Sequence, residues 1–213
     1  VVLLTIDALR ADMPWAGYPR PIAPRLTELE GRSVSYANAY AISSYTSMSL
    51  GGMLSGEYPA SMKRDGFFFG TYAKDNLMFP ERLREAGVRT LAAQAHRYFA
   101  ASAGFNQGFD VWEMVPRIKF DAQTDPNVTG PKHAEIAERL LGDPANTSGQ
   151  FFAWFHFMDP HDVYMAHKEV PSYGHEPRDR YDGEVQFTDT QIARLLDFVA
   201  RQPWASRTAI VVS

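Results

Sequence analysis

Short apolar runs alternate with segments of helical periodicity along the 213 residues, and that alternation predicts the fold class. Residues 1–6 form an apolar run broken only by Thr5, and residues 151–157 form a longer apolar and aromatic run. Continuous runs of this length suit strands buried on both faces. Residues 24–31 read as a short helix ending at glycine, and another helix follows Thr46 through Leu50, Met53 and Leu54. The segment 80–87 has proline at its first helical position and glycine just past its end, a strong pair of helix boundaries. A strand is expected over 88–93, a helix over 132–141 stopped by Gly142, and a last strand over 208–212. The longest helix is expected over 182–200, where Val185, Ile192, Leu195, Leu196 and Phe198 make an imperfect apolar stripe. Strands alternating with helices predict an α/β domain, a largely parallel sheet sandwiched by helices. The remaining stretches, 57–78 and 98–130, are expected to be long irregular loops of the kind that carry sites or lids.

Composition narrows the function classes. With 45% hydrophobic and 22% charged residues, 213 residues are enough to bury one core, and the chain reads as a single domain over 1–213. A net charge of -4 and the absence of any basic run give no footprint for nucleic acid or for an anionic membrane surface. The oligomeric state is left open. No cysteine is present, so disulfides and thiolate metal ligands are excluded. No apolar stretch reaches the roughly 18 residues of a membrane span. The chain opens and closes inside strand-like runs, so the domain is expected to be incomplete at both ends and any targeting segment to lie outside it.

Four positions can carry chemistry. Asp7 follows the first apolar run, at the strand end where open α/β sheets place ligands. It reads either as a turn or cap residue, or as an oxygen ligand for a hard cation. Thr46 lies in the hydroxyl-rich turn Ser43-Ser-Tyr-Thr-Ser-Met-Ser49, leading into a helix whose amide groups favour an anion. Its hydroxyl is either a cap or a nucleophile that needs activation. His161 comes just after the 151–157 run, placed to contact an oxyanion or protonate a leaving group, and His96 occupies a similar place after the strand at 88–93. His156, inside the apolar run, reads as a satisfied core histidine, and His133, His167 and His175 as solvated. The Phe67-Phe-Phe69 cluster reads as an apolar wall or a loop anchor.

Several motifs, in register, resemble the sulfatase family of the alkaline-phosphatase superfamily. Thr5-Ile-Asp-Ala-Leu-Arg-Ala-Asp12 is similar to the family's opening, and Leu54-Ser-Gly-Glu-Tyr-Pro59 to its Leu-Thr-Gly-x-Tyr-Pro signature. Phe105-Asn-Gln-Gly-Phe-Asp110, Phe157-Met-Asp-Pro-His161 and the stretch from Tyr181 to Leu196 follow in the family's order. The resemblance implies an alkaline-phosphatase-like fold, truncated before the C-terminal metal-binding strand end, where the family next carries Asp-His-Gly. It implies Asp7 as a ligand of one divalent metal ion of unspecified identity, and Thr46 as both nucleophile and ligand. His161 would act on the ester's oxyanion. Arg10, in the opening motif, and His96 are the candidate substrate contacts.

Departures refine this expectation. Where a sulfatase carries Cys (or Ser)-x-Pro-Ser-Arg, this chain has Thr46-Ser-Met-Ser-Leu50, so no formylglycine is expected. The threonine resembles the branch that transfers or hydrolyses phosphoesters. Ala8 replaces a second metal-binding aspartate found in many members. The resemblance thus implies a metal-dependent hydrolase or transferase of phosphate or sulfate esters, acting on a small-molecule, lipid or glycan ester through a covalent Thr46 intermediate. A periplasmic or exported address would suit the family. Asp7 and Thr46 alone are too few ligands for a hard cation, so the 213 residues by themselves are expected neither to hold metal tightly nor to turn over. The alternative is a non-catalytic relative used for binding. A doubly wound nucleotide binder is disfavoured because no Gly-x-Gly-x-x-Gly or P-loop run follows any strand.

Overall fold

Five strands lie side by side in one sheet, every neighbouring pair parallel, in the computed structural model, which describes residues 1–66, 69–119 and 126–213. The strands are β1 (Val2–Ile6), β4 (Arg89–Gln94), β5 (Val111–Met114), β6 (Phe151–Phe157) and β7 (Ile210–Val212), in the order β5-β4-β6-β1-β7. β6 and β1 are central and buried along their whole length, which is why their sequences are nearly all apolar. A two-stranded hairpin, β2 (Arg64–Asp65) and β3 (Thr71–Tyr72), stands apart.

Among the described residues six α-helices complete the layers: α1 (Pro24–Glu30), α2 (Thr46–Ser55), α3 (Phe79–Glu85), α4 (Gly130–Gly142), α5 (Pro144–Thr147) and α6 (Pro177–Ala200). Side chains alternate along β6, so its odd and even positions face opposite layers. On one face Phe155 and Phe157 pack against His133 of α4, which lies beside α6, and α6 beside α1. On the other face Phe152 meets Phe79 of α3, while Trp154 meets Phe99 edge-on. The predicted sandwich is therefore present.

Two expectations fail in the loops. The stretch 98–130 contains β5, whose four half-buried residues make too short and too polar a run to announce an edge strand. Its register is fixed by tertiary contacts instead: Asp110 Oδ2 accepts hydrogen bonds from the Thr90 backbone N–H (3.0 Å) and hydroxyl (3.1 Å). The stretch 57–78 contains the hairpin, which docks on α2 through Tyr72, whose hydroxyl donates to the Ser47 carbonyl at 2.7 Å. Gly51 permits that approach, because a Cβ there would sit 2.2 Å from the Tyr72 hydroxyl oxygen. Phe69 stacks near His96 and Tyr98, an anchoring contact; Phe67, Phe68 and residues 120–125 lie outside the described residues.

Gly108 joins the 105–110 motif to α3. It has a φ of +81°, and a Cβ would lie 2.2 Å from the Glu81 backbone nitrogen. Left-handed strain and a backbone clash add. Gly108→Ala is expected to lower stability by about 3 kcal/mol in urea unfolding, and an unchanged midpoint would show that α3 moves aside at no cost.

Candidate active site

The carboxyl ends of β1 and β6 and the start of α2 surround a cavity of about 860 Å³ whose wall includes Asp7, Thr46, His156, His161, Tyr58 and Ser213. Asp7 is the first residue beyond β1, and its backbone N–H still donates to the Phe157 carbonyl of β6 at 2.8 Å. The turn that follows is tight: Ala8 adopts a φ of +53°. That conformation costs a β-carbon residue roughly 1–2 kcal/mol. Tyr181 of α6 holds the turn, donating its hydroxyl to the Ala8 carbonyl at 2.9 Å while accepting the Arg10 N–H at 2.9 Å.

Thr46 is the first residue of α2, and the residue before it, Tyr45, makes no side-chain cap. The Thr46 hydroxyl donates instead across the cavity to Asp7 Oδ1 at 2.8 Å. The capping role open to Thr46 from sequence is not the one it plays. Two imidazoles also face Asp7: His156 Nε2 lies 3.4 Å from Oδ1, and His161 Nε2 lies 3.9 Å from Oδ2. Burial pushes the Asp7 carboxyl up, but His156, Thr46 and His161 together outweigh burial and leave it below its ordinary value. Asp7 is thus a buried carboxylate, negative at neutral pH.

His161 Nδ1 lies 2.8 Å from the Asp162 carbonyl, which can only accept. That contact suits an Nδ1–H donor, and it leaves Nε2 on the side of Asp7. The loop carrying His161 is tied down on both sides. Asp159 accepts the Thr129 N–H at 2.7 Å, and Glu184 of α6 binds His167 Nε2 at 2.8 Å and the Met165 N–H.

The structure corrects four of the histidine readings and one arginine reading. His156 is only half satisfied: Nδ1 bonds Thr5 Oγ1 at 2.7 Å, while its buried Nε2 has no hydrogen-bond partner and faces Asp7. His133 is fully buried, bonded to the Ala93 carbonyl at 2.8 Å, and His167 is buried flat against Phe187. Amphipathic packing of α4 and the Glu184 partner explain both, and neither is visible in local polarity. His96 does not line the cavity; its Nδ1 accepts the Tyr98 N–H at 3.1 Å and its ring packs on Tyr98. Arg10 does not line it either, because its exposed guanidinium is bonded to Asp12, which Arg178 shares.

Comparison with known proteins accords with this geometry. A family model described as sulfatase matches residues 1–213. The chain belongs to the sulfatase family. A search of the curated proteins returned no match. Among solved structures, a protein in the alkaline phosphatase superfamily from Vibrio parahaemolyticus is 17% identical, with a TM-score of 0.78 over 99% of this chain and 52% of its own. The phosphonate monoester hydrolase of Agrobacterium radiobacter is 13% identical, with a TM-score of 0.79 over 99% of this chain and 61% of its own. The C-terminal periplasmic domain of EcEptC from Escherichia coli, in a complex with Zn, is 16% identical, with a TM-score of 0.64 over 92% and 58%. These likenesses establish the alkaline-phosphatase-like fold, and this sulfatase-family chain spans between about half and three fifths of each of those structures.

The loop anchors of this family member give it a measurable pH signature. Burial raises the Asp159 carboxyl to about 6, against the Thr129 hydrogen bonds and with Glu184 adding to the rise. A raised carboxyl pKa stabilises the folded state fully below the unfolded value of 3.8, and that contribution is lost as pH rises through about 6. Burial lowers His133 to about 4 from 6.5, so its contribution has the opposite sign: present above 6.5 and lost as pH falls towards 4. Each amounts to about 3 kcal/mol at most, so between pH 6 and 4 the two offset each other. Asp159→Asn keeps an acceptor for Thr129 but removes the carboxyl. The variant is expected to lose about 2–3 kcal/mol more than the parent between pH 6 and pH 4 in urea unfolding; parallel pH curves would contradict the assignment.

Proposed function

We propose that the protein is a metal-dependent hydrolase or transferase of phosphate or sulfate esters, acting through a covalent intermediate on Thr46. The observation that carries this reading is the Thr46 hydroxyl, at the first position of α2 and 2.8 Å from the buried Asp7 carboxylate. A neutral alcohol is a weak nucleophile, and here it sits beside a base and at the positive end of a ten-residue helix. The amino end of α2 favours the anionic ester, Thr46 Oγ1 attacks phosphorus in line, and the hydroxyl proton leaves along the hydrogen bond to Asp7. His161 Nε2, on the opposite side of Asp7, delivers a proton to the departing alkoxide. Water or an acceptor alcohol then attacks the threonyl ester and regenerates the hydroxyl.

Members of the sulfatase family bind a divalent metal, and the EcEptC structure is a Zn complex. Among the described residues no group of three or more His, Cys, Asp or Glu side chains is set to share a metal ion. Asp7 and Thr46 fit as part of a donor set: two oxygens on one wall, against the six or more that hard cations take. Ser213 lines the same wall and its carbonyl accepts the Ile6 N–H at 2.8 Å, so residues directly following it would enter the cavity beside Asp7. The Asp-His pair that the family resemblance implies would complete the set there. A bound cation would lower the Thr46 hydroxyl pKa and neutralise the ester's non-bridging oxygens. We propose accordingly that residues 1–213 alone do not turn over.

Phosphoryl transfer is favoured over sulfuryl transfer, because a chain without cysteine offers no cysteine-derived formylglycine, and a plain threonine lacks the gem-diol that releases sulfate. A small-molecule, lipid or glycan ester is the proposed substrate class. An exported or periplasmic setting matches the periplasmic EcEptC domain. The test is an assay of the full-length gene product on aryl phosphate diesters, phosphate monoesters and sulfate esters, with and without divalent metal. Metal-dependent phosphoesterase activity supports the reading, and no turnover of any ester would move the non-catalytic relative to the front.

A further inference from the structure

The turn that carries the chain out of the sheet after Asp7 is closed from behind by Tyr181, a residue of α6 that is only 4% exposed. Its hydroxyl makes two hydrogen bonds at once, donating to the Ala8 carbonyl and accepting the Arg10 N–H, each at 2.9 Å. A carbonyl can only accept and an amide N–H can only donate, so both roles of the oxygen are fixed.

The turn needs that clamp. Ala8 is held at a φ of +53°, a conformation that alanine leaves when nothing opposes it. Upstream, the Asp7 N–H is fixed on the Phe157 carbonyl; downstream, Arg10 is bonded to Asp12 and Asp12 to Arg178. With both ends held, a relaxing Ala8 passes part of its rotation to the backbone of Asp7. The rotamers open to a side chain depend on its own backbone angles, so the Asp7 carboxylate, 2.8 Å from the Thr46 hydroxyl, is the group displaced.

The ring of Tyr181 braces the other side of the site. It meets Tyr164, which lies on the chain just after His161, edge-on with centroids 5.5 Å apart. The Arg178 guanidinium lies 5.5 Å over the same ring and is tied to the wholly buried Asp182 at 2.9 Å. Through this side chain α6 joins the turn of Asp7 to the loop of His161.

We propose that Tyr181 is a positioning residue: its hydroxyl clamps the turn from Asp7 to Arg10 with Ala8 left-handed, and so sets the Asp7 carboxylate against Thr46. The effect on turnover rests on the ester-transfer reading, whereas the clamp does not.

Two readouts on the full-length protein separate them. Arg10 is an exposed residue, so slow exchange of its amide hydrogen reports the bond to Tyr181. The parent is expected to protect that amide, and Tyr181→Phe, which keeps the ring, to speed its exchange roughly tenfold or more. Tyr181→Phe should also lower kcat roughly tenfold to a hundredfold with KM little changed, the range typical of groups that orient a ligand from behind. Ala8→Gly added to Tyr181→Phe should recover most of that loss, because glycine adopts a positive φ without strain. Tyr173→Phe is the control: it deletes another hydroxyl bonded to α6, at Gln186 Oε1 (2.6 Å), and should leave kcat unchanged.

An Arg10 amide that exchanges freely in the parent overturns the proposal. So does a parental kcat in Tyr181→Phe, a loss that Ala8→Gly does not recover, or an equal loss in Tyr173→Phe. Should Tyr181→Phe fail to fold, Arg10 exchange in the parent decides together with Ala8→Val. Valine at this exposed position resists a positive φ while the hydroxyl stays, so kcat should fall as in Tyr181→Phe, and a parental kcat would overturn the proposal. If the parent turns over no ester, or Thr46→Ala leaves turnover intact, the ester-transfer reading fails, and Arg10 exchange decides the clamp by itself.

Discussion

Thr46→Ala is expected to reduce ester turnover by the full-length protein on the order of 10³-fold or more, with little change in stability. In the proposed mechanism the Thr46 hydroxyl oxygen forms the new bond, and no neighbouring group replaces it. Its deletion removes a single hydrogen bond, to Asp7 Oδ1 at 2.8 Å, from a half-buried position at the start of a helix, and alanine is itself a good helix former. Thr46→Ser keeps the oxygen and should retain part of the activity. The parent, quenched in acid during turnover of a phosphate diester, should yield a peptide modified on Thr46 by mass spectrometry. The alanine variant should not. Undiminished turnover in Thr46→Ala would remove the covalent mechanism from consideration, because Asp7 and His161 alone could at most activate a water.

Phe155→Ala should cost about 3–5 kcal/mol of stability. Phe155 is fully buried in β6, the strand flanked on both sides, and its ring meets His133 of α4 edge-on at 6.1 Å. Strands on either side cannot close the gap without breaking their own ladders, so the cavity persists. For a chain of this size each kcal/mol lowers the melting temperature by roughly 2–4 °C, so a fall of about 10 °C is expected in calorimetry. A fall of under 3 °C would mean that α4 collapses onto the sheet. The same substitution leaves Asp7, Thr46 and His161 untouched, so activity per folded molecule should be retained below the transition.

Much of the scaffold was legible because it is written locally. The apolar runs of β1 and β6, the proline and glycine at the ends of α3, and the stripe on α6 each report a short-range constraint, and each element formed within a few residues of its expected bounds. Asp7 and His161 were visible as candidates for the same reason: a polar residue just past a buried strand stands where a parallel sheet opens. That Thr46 meets Asp7 across 39 positions was implied by family resemblance, and the hydrogen bond between them was decided by how α2 packs.

What the sequence could not reveal depends on partners far along the chain. β5 is a strand because β4 offers it a ladder and Asp110 caps Thr90. His133 and His167 look solvated until α4 and α6 close over them, and Arg10 looks available until Asp12 and Arg178 are brought beside it. His156 is the clearest case. Sequence alone determined that it lies in a buried strand, on the same side as Trp154. Only the pairing of β6 with β1, 151 residues away, placed Thr5 at one ring nitrogen and Asp7 at the other, because hydrogen-bond partners across a parallel sheet are set by register.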